Sequence, residues 1–165
     1  MLNDRDPRFT SGLNPLRDTT EVRSSPVSGL GLFAKRLLPR GTIWWHARFQ
    51  DLLLITQSQY EILTTSVQSP MTQSIITGML TYSYYLSEFD ALVICLDNSR
   101  FCNHSYTPNS GYDPTMNPFM SVTTRDIAAG EEIFEDYTTY DKCPWADLKD
   151  EFLKEVTKPT IKKAS

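Results

Sequence analysis

Residues 100–111 read Arg-Phe-Cys-Asn-His-Ser-Tyr-Thr-Pro-Asn-Ser-Gly (RFCNHSYTPNSG). The run holds His104, one of two histidines in the chain, beside Asn103, with Phe101 and Pro108 on either side. It is poor in aliphatic residues, unlike the apolar Ala91-Leu92-Val93-Ile94-Cys95-Leu96 just before it, which reads as a short buried strand bounded by Asp90 and Asp97. A surface loop fits this pattern, and so does a binding site built on backbone. The answer decides the fold, because it depends on which other segments the run must meet.

Working outward, residues 118–127 (PFMSVTTRDI) read as a strand, 128–130 as a turn and 131–137 (EEIFEDY) as a last strand. Upstream, Leu32-Phe33-Ala34 is strand-like, Pro39-Arg40-Gly41 is turn chemistry, and 42–47 is β-branched and aromatic, which together predict a hairpin. Between 56 and 86 the period changes. Ser58 followed by Glu61 suggests a capping box, Tyr60, Leu63 and Val67 fall at helical spacing, and Met71, Ile75, Ile76, Met79, Leu80 and Tyr84 predict a second helix. Residues 1–20, with Pro7, Gly12 and Pro15, read as a loose arm. Trp145, Leu148, Phe152 and Val156 predict a C-terminal helix within 142–165, ending in a lysine-rich tail.

The 165 residues fit one domain, with enough chain for a core. A net charge of -4 argues against nucleic acid as the main partner, since phosphate binding needs a basic surface. Three cysteines, Cys95, Cys102 and Cys143, form neither a disulfide framework nor a zinc-ligand spacing, so no metal is expected. The chain shows no apolar leader and no apolar run of membrane-spanning length, which leads to the expectation of an intracellular, cytoplasmic or nuclear protein without membrane contact.

Three separated pieces, GLGLFAKR (29–36), RFCNHSYTPN (100–109) and AAGEEIFEDY (128–137), occur in this order. Together they resemble the signature motifs of the SET-domain protein lysine methyltransferases, in a short stand-alone form, across residues 22–140. The resemblance implies a mainly β fold of several small sheets with local helices and a C-terminal pseudoknot, in which the Asn-His-Ser segment lies beside the last strand. It implies a SET domain over 21–141 with a helical insert near 56–86. It also implies S-adenosyl-L-methionine as cofactor and a protein with an exposed lysine as substrate.

Carried over residue by residue, the resemblance makes Tyr137 the active-site tyrosine. It puts Gly29, Leu30 and Gly31 beside the methionine part of the cofactor and Asn103 and His104 in contact with it. Arg100 joins the cofactor site or serves as a structural ion-pair partner. The pair Gly29 and Gly31 taken alone equally fits a tight turn before a strand. Tyr106 stands where the family commonly has cysteine, and so bears on the pocket. Glu135 stands where the family pattern has an aromatic residue that sizes the lysine pocket. On a strand Ile133, Glu135 and Tyr137 share a face, away from Phe134. A carboxylate there favours the ammonium form and opposes deprotonation, yet suits a partly methylated, cationic lysine. Alternatively it turns to solvent or pairs with a cation. Trp145 and the helix after it are expected to close the channel. A catalytically silent SET module that binds cofactor or a partner protein is the competing expectation, and a dimer through the helical insert is open.

Overall fold

The computed structural model describes residues 3–66, 69–112 and 117–146. Short strands form four small sheets. A four-residue helix, α1 (Leu16–Thr19), leads into β1 (Thr20–Ser24), which pairs antiparallel with β2 (Leu30–Ala34) from Thr20↔Ala34 to Ser24↔Leu30. The turn between them is held by Ser25. Its backbone N–H donates to the Gly29 carbonyl at 2.9 Å, and its hydroxyl accepts the Val27 N–H at 2.9 Å. Gly29 closes the turn at φ +46°, a left-handed conformation that costs glycine little.

β3 (Ile43–His46) does not return to β2, so the expected 32–47 hairpin does not form; β3 pairs instead with β9 (Met120–Thr123), which also takes β8 (Ser110–Gly111). The connection explains this. Leu38 is fully buried and bridges Ile127, which anchors the middle of the link to a distant segment and turns the two strands apart.

The third sheet has the order β4-β6-β5, from β4 (Leu52–Thr56), β5 (Ser83–Leu86) and β6 (Ala91–Cys95). As the uniform apolar run predicts, β6 is buried on both faces. Val93 and Cys95 join the main core with Leu32, Trp44 and Phe119, while Leu92 and Ile94 face a second cluster under the helices. Those helices are α2 (Gln57–Thr65) and α3 (Pro70–Thr81), and Tyr60, Leu63, Ile76 and Met79 pack onto that second cluster. The capping box is set by Thr56 and Gln59 rather than Ser58 and Glu61. The helical pattern also overran its end, for residues 83–86 pair with β6 as a strand, where tyrosines pack well on a pleated surface.

Two further expectations are corrected. Residues 3–20 are no loose arm: Phe9 is buried and stacks on Phe119 at 4.7 Å, Leu16 is buried, and Arg8 bonds Asp6 and lies over the Phe89 ring. The last strand is also far shorter than 131–137. Within it β10 (Phe134–Glu135) pairs parallel to β7 (Asn103–His104), with Phe134↔Asn103 and Glu135↔His104, while Glu132 makes a single antiparallel bridge to Phe33. This is the arrangement implied for the Asn-His-Ser run. The C-terminal helix expected from Leu148, Phe152 and Val156 lies outside the described residues.

Candidate active site

The β7·β10 pairing brings residues 102–104 and 132–137 together beneath the β1–β2 turn. Around this junction lies a cavity of about 150 Å³. One side is lined by Ser28, Gly29, Leu30, Arg100 and Asn103, the other by Tyr84, Tyr112, Glu135, Tyr137 and Tyr140, with Trp44, Trp45 and Phe101 between them.

Asn103 is 8% exposed and ties the first side together. Its amide nitrogen faces the Ser28 and Leu30 carbonyls at 3.2 and 3.0 Å and Glu132 Oε1 at 2.8 Å. The other Glu132 oxygen accepts the Ser25 hydroxyl at 3.0 Å. Glu132 therefore fastens the glycine turn to β7, a role not foreseen from the sequence. The second glutamate of the Gly-Glu-Glu run was the only signal for it. Gly31 completes the clamp, because a Cβ there would stand 2.1 Å from Glu132 Oε1 and 3.0 Å from Ser25 Cβ. Gly31 thus makes room for a neighbouring carboxylate, while Gly29 and Leu30 line the cavity.

His104 is buried against the edge of Tyr106, 4.5 Å between ring centroids. Its Nδ1 accepts the Tyr137 backbone N–H at 3.1 Å. Nδ1 is thereby an acceptor, which puts the proton on Nε2, and that buried Nε2 has no partner. Arg100 lines the cavity and makes no ion pair among the described residues; it donates to the Leu96 and Asp97 carbonyls at 2.9 and 2.8 Å and covers the Phe101 ring. Tyr106 is 57% exposed and outside the cavity lining. Trp145 is also outside it: it packs on Tyr60 and Tyr85 and donates to Asp90, covering the helical side of the third sheet.

On the second side Tyr137 donates its hydroxyl to the Cys102 carbonyl. A 3₁₀ turn over Tyr137–Thr139 follows, and this turn eclipses residues three apart, which brings the Tyr140 ring to 5.4 Å from that of Tyr137. Tyr140 donates to Glu135 Oε2, and Ser110 donates to Glu135 Oε1 at 3.2 Å. Glu135 is 5% exposed, so it neither turns to solvent nor pairs with a cation among the described residues. Ile133 and Glu135 are both buried, and Glu135 shares the cavity with Tyr137, although Tyr137 reaches it from the 3₁₀ turn after β10 and Ile133 lies outside the lining. Burial pushes the hydroxyls of Tyr84, Tyr137 and Tyr140 well above the usual tyrosine range, and Glu135 adds to the effect on each. Burial likewise raises the Cys95 thiol to about 12 and pushes the Cys102 thiol well above the usual range, so neither behaves as a nucleophile at neutral pH.

The SET domain family matches residues 29–138. Among solved structures, ctPRC2 in an autoinhibited conformation bound to S-adenosylmethionine aligns with a TM-score of 0.53 at 18% identity, covering 83% of this chain and 17% of that one. A humanized mutant of the Chaetomium thermophilum Polycomb Repressive Complex 2, bound to an inhibitor, gives 0.48 at 18% identity, covering 76% of this chain and 15% of that one. A Plasmodium falciparum protein described as a histone methyltransferase gives 0.46 at 16%, covering 72% and 92%. No curated protein matches the chain significantly. The family match spans two thirds of the sequence, and the chain belongs to the SET-domain family.

Proposed function

We propose that this protein transfers a methyl group from S-adenosyl-L-methionine to a lysine side-chain amine of a protein substrate. The observation that carries the reading is the two-sided cavity, with a backbone-rich glycine turn clamped by Asn103 on one side and Tyr137 among neutral tyrosines on the other. The residues fit such a cofactor. The Ser28–Leu30 turn presents main chain, Asn103 and Arg100 offer polar groups, and the buried Tyr84 hydroxyl lacks a partner; His104, whose Nε2 is also unpartnered, lies outside the lining.

Bound there, the cofactor supplies a methyl carbon on a sulfonium. The Ser28–Leu30 turn and Asn103 would hold it, and it would offer an electrophilic methyl group to a neutral amine. What the chain contributes is mostly alignment. Tyr137, fixed by the Cys102 carbonyl, orients the amine through a hydroxyl that stays neutral. Carbonyl oxygens of this junction suit weak C–H···O contacts with a methyl group. A lysine, whose free pKa is about 10.4, must be neutral to react, and exclusion of water by the aromatic wall favours that form.

The test is calorimetry with S-adenosylhomocysteine followed by labelled methyl transfer to a protein lysate. Tyr137→Phe should lower turnover at least about a hundredfold while cofactor affinity changes little, the scale expected when one oriented polar group is lost. Asn103→Ala should weaken cofactor affinity. Cofactor binding without transfer to any protein would instead favour a silent SET module, a reading to which the buried Glu135 lends support.

A further inference from the structure

His104 lies outside the cavity lining, yet its side chain is almost wholly shielded, with 2% of it exposed. It keeps a buried Nε2–H that has no partner among the described residues, an arrangement that calls for a reason. The reason is at the other nitrogen. Nδ1 accepts the Tyr137 backbone N–H at 3.1 Å, so the ring's proton is confined to Nε2. The imidazole lone pair therefore holds the first residue of the 3₁₀ turn Tyr137–Thr139. From that turn Tyr137 and Tyr140 both reach the cavity.

A second arrangement stands close to this one. Asp136 Oδ1 is 3.8 Å from His104 Nδ1, too long for a hydrogen bond. The same oxygen caps the turn, accepting the Thr138 N–H at 2.9 Å and the Thr138 hydroxyl at 2.7 Å. A proton added at Nδ1 turns the acceptor into a donor. The imidazolium and the Tyr137 N–H then face each other as two donors, with a carboxylate in reach of the first. Pairing draws Asp136 Oδ1 away from Thr138 while the Tyr137 N–H loses its acceptor, so the turn loses two restraints at once. The other titratable groups against the ring do not offset this. Tyr106 meets it edge-on at 4.5 Å and Tyr137 lies tilted at 5.4 Å. Glu135, its neighbour across the β7·β10 pairing, is bonded to Ser110 and Tyr140.

We propose that His104 is a positioning residue for the transfer reaction: its neutral ring latches the turn that carries Tyr137, and a proton on Nδ1 opens the latch. The ring acts through Tyr137 rather than on the cofactor or the amine. The latch stands on this geometry alone, while its effect on turnover rests on the methyltransferase reading.

The experiment compares the whole wild-type chain with His104→Asn and His104→Leu. Asparagine puts Oδ1 where Nδ1 stands, so it accepts the Tyr137 N–H but takes up no proton, and leucine puts a methyl group there. The ¹⁵N resonances of the imidazole and of the Tyr137 amide are followed from about pH 8 to about pH 5.5, within the range where imidazoles change charge. In the wild-type protein the Tyr137 amide should move together with the imidazole signals, and in His104→Asn it should stay in place. S-adenosylhomocysteine affinity and labelled methyl transfer to a protein lysate are measured over the same range. The titration of the acceptor lysine is common to all three proteins and cancels in their rate ratios. The ratio of wild type to His104→Asn should fall about tenfold on acidification. At the alkaline end His104→Leu should be about tenfold slower than His104→Asn, the factor for one lost hydrogen bond, with little change in S-adenosylhomocysteine affinity. A Tyr137 amide that does not follow the imidazole overturns the proposal whether or not the variants fold, as do equal rates for the two variants. Transfer with a pH-independent rate ratio removes the latch and leaves the methyltransferase reading standing. An amide that follows the imidazole in a protein that transfers no methyl group does the reverse.

Discussion

At the scale of single residues, the candidate site shows how small groups can hold a large one in place. Gly31 has no side chain because Glu132 occupies that space, with Ser25 and Asn103 bonded to its two oxygens. Gly31→Ala should push the Glu132 carboxylate off these partners and lower stability by about 2 kcal/mol or more, measured by denaturant unfolding, since hydrogen bonds to a charged group contribute about 1.5–3 kcal/mol each. An unchanged midpoint would mean that Glu132 rearranges at no cost. The tyrosines make a prediction of opposite character. Tyr84, Tyr137 and Tyr140 have folded hydroxyls held above the ordinary value near 10.0, chiefly by burial. The unfolded chain loses these protons first as pH rises past that value. Their contribution to stability is therefore complete below pH 10 and falls above it, by up to about 1.4 kcal/mol per pH unit for each tyrosine. Tyrosinate absorbance should accordingly show a group of the 8 tyrosines that titrates only on alkaline unfolding. The places of Tyr137 and Asn103 at the cavity were legible as motif positions, but Glu132, Ser110 and Tyr140 were not. Their importance comes from side chains converging across 25–107 residues of sequence or from the eclipsing of one 3₁₀ turn, and a linear pattern records neither.

Among the elements, legibility followed burial. β6 was readable because an unbroken apolar run buried on two faces has few other solutions, and the helices were readable from their period. Pairing was not. Strand-like character in 32–34 and 42–47 suggested neighbours, but the partner of each strand is decided by what anchors the link, here Leu38 against Ile127. β7 and β10 are two residues each, too short for periodicity to announce, and their parallel alignment joins positions that are far apart in the chain. The amino-terminal segment was misread because its apolar content is sparse. Phe9, stacked on Phe119 and edge-on to Phe49, docks it together with buried Leu16 and with Arg8 over the Phe89 ring. Phe9→Ala should cost about 3–5 kcal/mol in unfolding free energy and make residues 3–14 accessible to limited proteolysis. A loss below about 1 kcal/mol would mean that the segment contributes no packing to the main core.

For the whole molecule, four small sheets share two apolar clusters, and the cavity is surrounded by pieces from all parts of the described chain. Family membership was legible from three motifs in order, yet the threading of 131–135 between Leu32 and Asn109 was knowable only through the resemblance. Ile133 donates to the Leu32 carbonyl at 2.8 Å while Asn109 bonds both the Glu132 carbonyl and the Phe134 N–H. That crossing has a consequence for time rather than for shape. The β4-β6-β5 sheet is complete within residues 52–95, but the turn at 25–29 must meet β7 and, across more than a hundred residues, β10, and loop closure comes before any reward from the contacts. During refolding, amide protection in β6 should therefore rise before the chain gains the ability to bind S-adenosylhomocysteine, and simultaneous appearance of the two would show that the crossing forms at the start. A half-made molecule of this kind already has a sheet and a core but offers a ligand nothing to hold. Ligand binding then reports on the last event of folding, and ligand added to a refolding mixture should slow the undoing of the fold without hastening its making.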